Sequence, residues 1–170
     1  MFDDVSSFPV QTPEDGAQYR LPWTRAGGTT FDFGELAISG YHIAACASFG
    51  LPAVSRSTLP EAWVSEYTED ALMLRDPVML WIYAHSGVTR LSQIKEDDDS
   101  GIMARAARHG LKYGAVVSHG TESSGKLLSY GIFYRDDREF TDDELELLRL
   151  RVQSLHNTSV TFAARKKTFK

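Results

Sequence analysis

Residues Ala62 to Gly87 read AWVSEYTEDALMLRDPVMLWIYAHSG, and the Asp76-Pro77 step inside this stretch decides how the chain is organised. A proline disfavours the helical conformation in the residue before it and is itself well suited to the first helical position. The step therefore predicts one helix ending by Arg75 and a second opening at Pro77, with Asp76 as its N-cap. Trp63 and Tyr67 stand four apart, hence on one face of the first helix. The second helix is apolar nearly all round from Val78 to Ala84, which predicts burial on several sides, and Gly87 is placed to stop it. Two readings of the polar tips stay open. In one, Asp76 is a cap and the two aromatics are core; in the other, all three converge on one buried pocket.

Working outward, TTFDFGELAIS predicts a short helix with Thr30 or Asp32 near its start, and YHIAACASFG predicts a largely buried strand ended by Gly50 and Pro52. Residues 1–28 are rich in Pro, Gly and polar side chains and read as an irregular arm, pinned by Trp23. Downstream, VTRLSQI suits a short strand, and the acidic EDDDSG precedes IMARAARHG as a helix N-terminus would require. The run lacks the regular ligand spacing and closing Glu of a calcium loop. LKYGAVVSH and KLLSYGIFYR flank the turn GTESSG and predict a hairpin. The final element opens on TDDE, where Thr141 and Glu144 have capping-box spacing, and carries the stripe Leu145, Leu148, Val152 and Leu155. This order fits one antiparallel sheet with helices on both faces. The expected class is α/β, a three-layer α/β/α sandwich of the general shape of PAS-like and GAF-like sensor domains. It spans residues 29–162, with residues 163–170, holding the basic ARKKTFK, as a tail or linker start.

Composition excludes several function classes. The chain has 170 residues, a net charge of −5 and a single cysteine, Cys46, so no internal disulfide forms and a reducing, cytoplasmic setting is expected. Its apolar runs are too short to span a membrane. Basic residues form no stripe or patch outside the last residues, so direct nucleic-acid binding is not expected. His42, His85, His109, His119 and His156 have no HExxH spacing, no GxSxG elbow is present, and neither AGGTT nor GTESSG has a phosphate-cradling pattern. No enzyme activity, metal or cofactor is expected, and each histidine reads as surface or satisfied core.

The pattern P-x-x-W-x-x-x-Y from Pro60 to Tyr67, followed nine residues on by Asp76-Pro77-Val78 and later by HGLKYG ending at Gly114, resembles the autoinducer-binding domain of LuxR-type quorum-sensing regulators. The resemblance covers roughly residues 30–157. It implies a sensor of an N-acyl homoserine lactone or similar amphiphile, held between sheet and helices and used in transcription regulation. It also implies roles. Trp63 donates its indole N–H to the lactone carbonyl, Asp76 accepts the ligand's amide N–H, and Tyr67 lies beside the acyl carbonyl. An acyl lactone, with one amide donor, a few carbonyls and an apolar tail, asks for such a set. Departures stand beside the matches. Leu59 occupies a position where the family often has tyrosine, Leu91 one where it commonly has tryptophan, and Gly131 one where a serine or threonine reaches the acyl carbonyl. Ser129 or Tyr130 substitutes for the lost hydroxyl, though strand alternation lets only one of them face the pocket, and Ser129 is taken as the binding residue. Leu59, Leu91, Val116 and Gly131 are expected to line the pocket. The resemblance implies a homodimer, or a heterodimer with a related regulator. The helix-turn-helix domain that follows the sensor in this family is missing before Lys170, so the chain is either an excised sensor half or a single-domain interaction module, with a degenerate pocket, that inhibits a full-length relative.

Overall fold

Along Leu128–Arg135 every residue is buried, with Tyr130, Ile132 and Tyr134 in one apolar cluster and Phe133 in another. Successive side chains of a strand point to opposite faces, so this strand must be covered on both sides and belongs at the centre of a sheet. The structure, a computed structural model, describes residues 33–47, 52–120 and 127–168, with side chains as far as residue 160. It contains β1 (Gly40–Ala47), β2 (Val54–Ser57), β3 (Gly87–Arg90), β4 (Tyr113–His119) and β5 (Leu128–Arg135). They form a five-stranded sheet of order β2-β1-β5-β4-β3 in which every neighbouring pair is antiparallel.

Helices α1 (Glu61–Glu69), α2 (Pro77–Ala84) and α3 (Ile102–Ala107) cover one face, where Trp63, Val78, Met79, Ile82 and Ile102 pack with Val116, Tyr130 and Ile132. The long α4 (Asp142–Thr168) covers the other, its stripe of Leu145, Leu148, Val152 and Leu155 buried against Ile43, Val117 and Phe133. The three-layer α/β/α sandwich expected from the sequence is the fold observed. Helix termini follow their chemistry. Asp76 Oδ1 accepts from Val78 N at 2.8 Å, with Pro77 first in α2. Asp98, from the acidic run, accepts from Ile102 N at 2.8 Å and Met103 N at 2.9 Å at the start of α3. Thr141 Oγ1 accepts from Glu144 N at 3.2 Å while Glu144 Oε2 accepts from Thr141 N at 2.8 Å, a reciprocal capping box.

Several boundaries differ from those expected. The first helix stops at Glu69, because Ala71 adopts a left-handed conformation with φ 50°, and Leu72–Arg75 form a separate 3-10 turn. Residues 34–39 make turns rather than a helix, closed by Ala37 N donating to Phe33 O at 2.8 Å; Thr30 and Asp32 lie outside the described residues, as does the whole N-terminal arm with Trp23. Gly87 does not stop α2, which ends at Ala84 with His85 already extended; Gly87 instead opens β3. The edge strand β2 was not expected at all. It pairs His42 with Ser57 across to β1, and the chain between β2 and α1 passes so close to Gly40 (φ +123°) that a Cβ there would meet Thr58 O at 2.8 Å. The helix α4 continues without a break across residues 162 and 163.

Candidate functional site

Asp76 is 4 % exposed, and both of its carboxylate oxygens are engaged: Oδ1 by the α2 backbone and Oδ2 by the Tyr67 hydroxyl, which donates at 2.7 Å. Tyr67 reaches it from α1, which the 3-10 turn Leu72–Arg75 joins to α2. Burial pushes the Asp76 carboxyl above the usual carboxylate range, against the hydrogen bonds from Tyr67 and Val78, which favour the charged form. The Tyr67 and Tyr134 hydroxyls are pushed upward, first by burial and then by the Asp76 charge, so both remain protonated donors. Trp63, one turn before Tyr67, is 3 % exposed and meets its ring edge-on at a centroid distance of 5.6 Å.

The outer side of α1 is tied to α3 and to the chain just after it. Glu66 accepts from Arg105 Nε at 2.7 Å and pairs with His109 Nε2 at 2.7 Å, while Arg105 also reaches Asp70. His109, then Arg105, hold the Glu66 carboxyl below its usual range. The His109 ring lies 5.6 Å from that of Trp63, so this polar network fixes the aromatic from outside.

Trp63, Tyr67 and Asp76 line one cavity of about 290 Å³ between the sheet and α1–α3. Its floor is His42, Tyr130, Ile132 and Tyr134, and Met73, Met79 and Met103 supply adaptable apolar wall. A buried carboxylate with aromatic donors in a mostly apolar space, whose lining also carries His42, Ser57, Lys112 and Glu139, suits a small amphiphile. Among the described residues, no cluster of three or more His, Cys, Asp or Glu is arranged to hold a metal ion.

The residues singled out from the sequence divide into two groups. Trp63, Tyr67, Asp76, Leu59 and Leu91 all line the cavity. Leu91 fills the space that a side chain at Gly114 would occupy, since a Cβ there would fall 2.6 Å from Leu91 Cδ2. Val116 is fully buried in the same apolar cluster but is not part of the lining. Ser129 and Gly131 are corrections, because the alternation of β5 turns them toward α4. Ser129 Oγ accepts from Cys46 N at 2.9 Å and meets His156 Nδ1 at 2.7 Å, while a Cβ on Gly131 would strike the Phe133 ring at 2.5 Å. Tyr130, Ile132 and Tyr134 are the residues of this strand that face the cavity, the last two not foreseen. The period-two spacing of Tyr130, Ile132 and Tyr134 was the available signal. His42 and Ser57 were also missed; neither could be placed without β2.

The family model of the autoinducer binding domain matches residues 40–159. Among solved structures the chain is similar to SdiA of Escherichia coli, with TM-score 0.55 and 24 % identity over 77 % of this chain and 56 % of that one. It is similar to SdiA in complex with octanoyl-rac-glycerol, with TM-score 0.51 and 23 % identity over 75 % of this chain and 52 % of that one. It is also similar to CepR2 of Burkholderia cenocepacia, an N-acylhomoserine lactone dependent LuxR family transcription factor, with TM-score 0.50 and 20 % identity over 71 % of this chain and 70 % of that one. Likeness at these identities concerns the fold, and the chain spans little more than half the length of the SdiA chains. No curated protein matches it in sequence.

Proposed function

Since this chain belongs to the autoinducer-binding domain family of LuxR-type quorum-sensing regulators, we propose that it senses an N-acyl homoserine lactone or a related acylated amphiphile in the cavity under Asp76. The observation that carries this reading is the convergence of a buried carboxylate, a tyrosine hydroxyl and a tryptophan on one apolar space. An amide N–H entering that space needs an acceptor, and Asp76 Oδ2 has a second lone pair beside the one used by Tyr67. Trp63 offers its indole N–H to a lactone carbonyl, and Tyr67 lies where the acyl carbonyl follows. Leu59 and Leu91 put apolar surface where the family's usual aromatic contacts would be, so headgroup recognition rests more heavily on Asp76 and Trp63. The similarity to SdiA, whose complex holds octanoyl-rac-glycerol, supports keeping acylated headgroups other than lactones within the class.

In this reading residues 29–162 are the sensor domain, and the effector acts on transcription through a dimer. Leu147 and Leu150 support the dimer, since they stand 39 % and 48 % exposed on α4 while its other stripe is buried. Mass spectrometry of small molecules that co-purify with protein made in acyl-lactone-supplied cells, followed by titration of the stripped protein, tests the ligand. Recovery of an acyl lactone that rebinds stoichiometrically is the expected result. Protein that carries none and answers to none would put the interaction-module role in its place.

A further inference from the structure

The apolar stripe of α4 does not run the length of the helix. Leu145, Leu148, Val152 and Leu155 are buried against the sheet, but the next position of the same spacing is Ser159, fully buried with its hydroxyl unpartnered among the described residues. Around His156, one turn earlier, polar groups converge from four elements. His119 ends β4 and lies directly opposite Ser129 of β5, so both project toward α4. His156 of α4 meets the His119 ring edge-on at a centroid distance of 4.7 Å, and its Nδ1 lies 2.7 Å from Ser129 Oγ. Cys46, left-handed with φ 54° where the β1 ladder shifts register, donates its N–H to the same Oγ at 2.9 Å and its thiol to His156 O at 3.6 Å.

This seam is built for neutral rings. Ser129 Oγ already accepts from Cys46 N, so its O–H is left to donate to His156 Nδ1, which must then carry no proton. A proton there would set donor against donor and place a charge beside the second imidazole. Burial, then the charge of Arg149, pulls His119 below the ordinary imidazole value; burial, then His119, does the same for His156. Among the described residues no carboxylate pairs with either ring. Glu146 is held by Arg149 at 2.6 Å, and Asp142 by Arg90 at the far end of α4. Released from the sheet, both rings regain water and their ordinary proton affinity. The contribution of the pair is therefore present above the unfolded value of 6.5 and is lost as pH falls below it.

We propose that His119 and His156 are a proton-operated latch, which holds the second half of α4 on the sheet near neutral pH and frees it on acidification. The latch goes beyond the ligand reading and does not depend on it, since it lies on the face of the sheet opposite the cavity. The test is amide hydrogen exchange of the whole chain at about pH 7.5 and about pH 5.5, corrected for the intrinsic pH dependence of the rates. Each histidine that takes its proton only on release multiplies the opening equilibrium by about tenfold over that interval. Amides from Val152 to Val160 should lose protection by at least that factor, while those of β4 and β5 keep theirs. The loss should shrink in His119→Gln and disappear in His119→Gln/His156→Asn. Proton NMR of the unaltered protein should show both imidazoles titrating below the ordinary value, a reading that needs no variant to fold. Ordinary titration of both rings, unchanged protection of α4, or a loss that β4 and β5 share or that survives in the double variant overturns the latch.

Discussion

Asp76 answers to two demands, and they can be separated by changing one atom. In Asp76→Asn the amide oxygen can still accept from Val78 N, so the cap survives, while the negative acceptor for a ligand amide is lost. Affinity for an acyl lactone should fall by about 1–3 kcal/mol with the fold intact, read by calorimetric titration; equal affinities would leave Asp76 a cap and nothing more. Trp63→Phe retains most of the packed area and removes the N–H, so it should cost more in ligand affinity than in apo stability, compared by denaturant melts with and without ligand. His42 gives a pH signature. Its folded value of about 4 lies below the ordinary 6.5, so the unfolded chain takes up the proton first as pH falls. Its contribution is present above 6.5 and is lost as pH falls toward 4, a loss His42→Leu does not share. Urea melts of both proteins at about pH 7 and about pH 4.5 should therefore show the variant gaining on the parent in acid. The site was partly legible at this scale. Trp63, Tyr67 and Asp76 follow from helix spacing and a proline step, both local rules. Ser129 was misplaced because which parity of β5 meets the cavity is decided by what packs on each side of the sheet.

Helix ends are the elements that the sequence spells out most directly. The capping box of α4 pairs two backbone donors with the side chains of Thr141 and Glu144, and Arg138 Nη2 donates to Glu144 Oε1 at 2.8 Å to steady it. Thr141→Ala should destabilise the domain by about 1 kcal/mol, and Thr141→Ser by much less, measured as a shift in urea midpoint at constant slope. No difference between the two would show that packing of the buried stripe holds the helix end without the cap. The hairpin of β4 and β5, the start of α2 and the acidic cap of α3 were readable for the same reason, since each depends on residues close in sequence. Strand β2 was not. Its four residues, VSRS, are mostly polar, and they pair only because β1 presents an edge to them. The early end of α1 was equally hidden, because nothing in TEDALMLR announces a left-handed alanine; the next residue, Leu72, is buried in the cluster that also holds Trp63.

Taken whole, the domain encloses a cavity in one of its two cores and none of its described cysteine chemistry bridges them. A ligand that binds only the native state stabilises it by RT ln(1 + [L]/Kd), roughly 2.7 kcal/mol at a hundred times Kd. That is large against the stability of an ordinary domain, so acyl lactone should raise soluble yield and melting temperature together, followed by thermal melts across a ligand series. A melting temperature indifferent to every ligand would contradict an occupied cavity. The alternation of β5 has a further consequence, which concerns descent. Tyr130, Ile132 and Tyr134 belong to the cavity face, while Phe133 belongs to the face of α4. Substitutions at the first three can retune what is recognised without repacking the surface beneath α4. On the proposed reading, a lineage built on this sheet can change its effector while inheriting its outer helix unaltered.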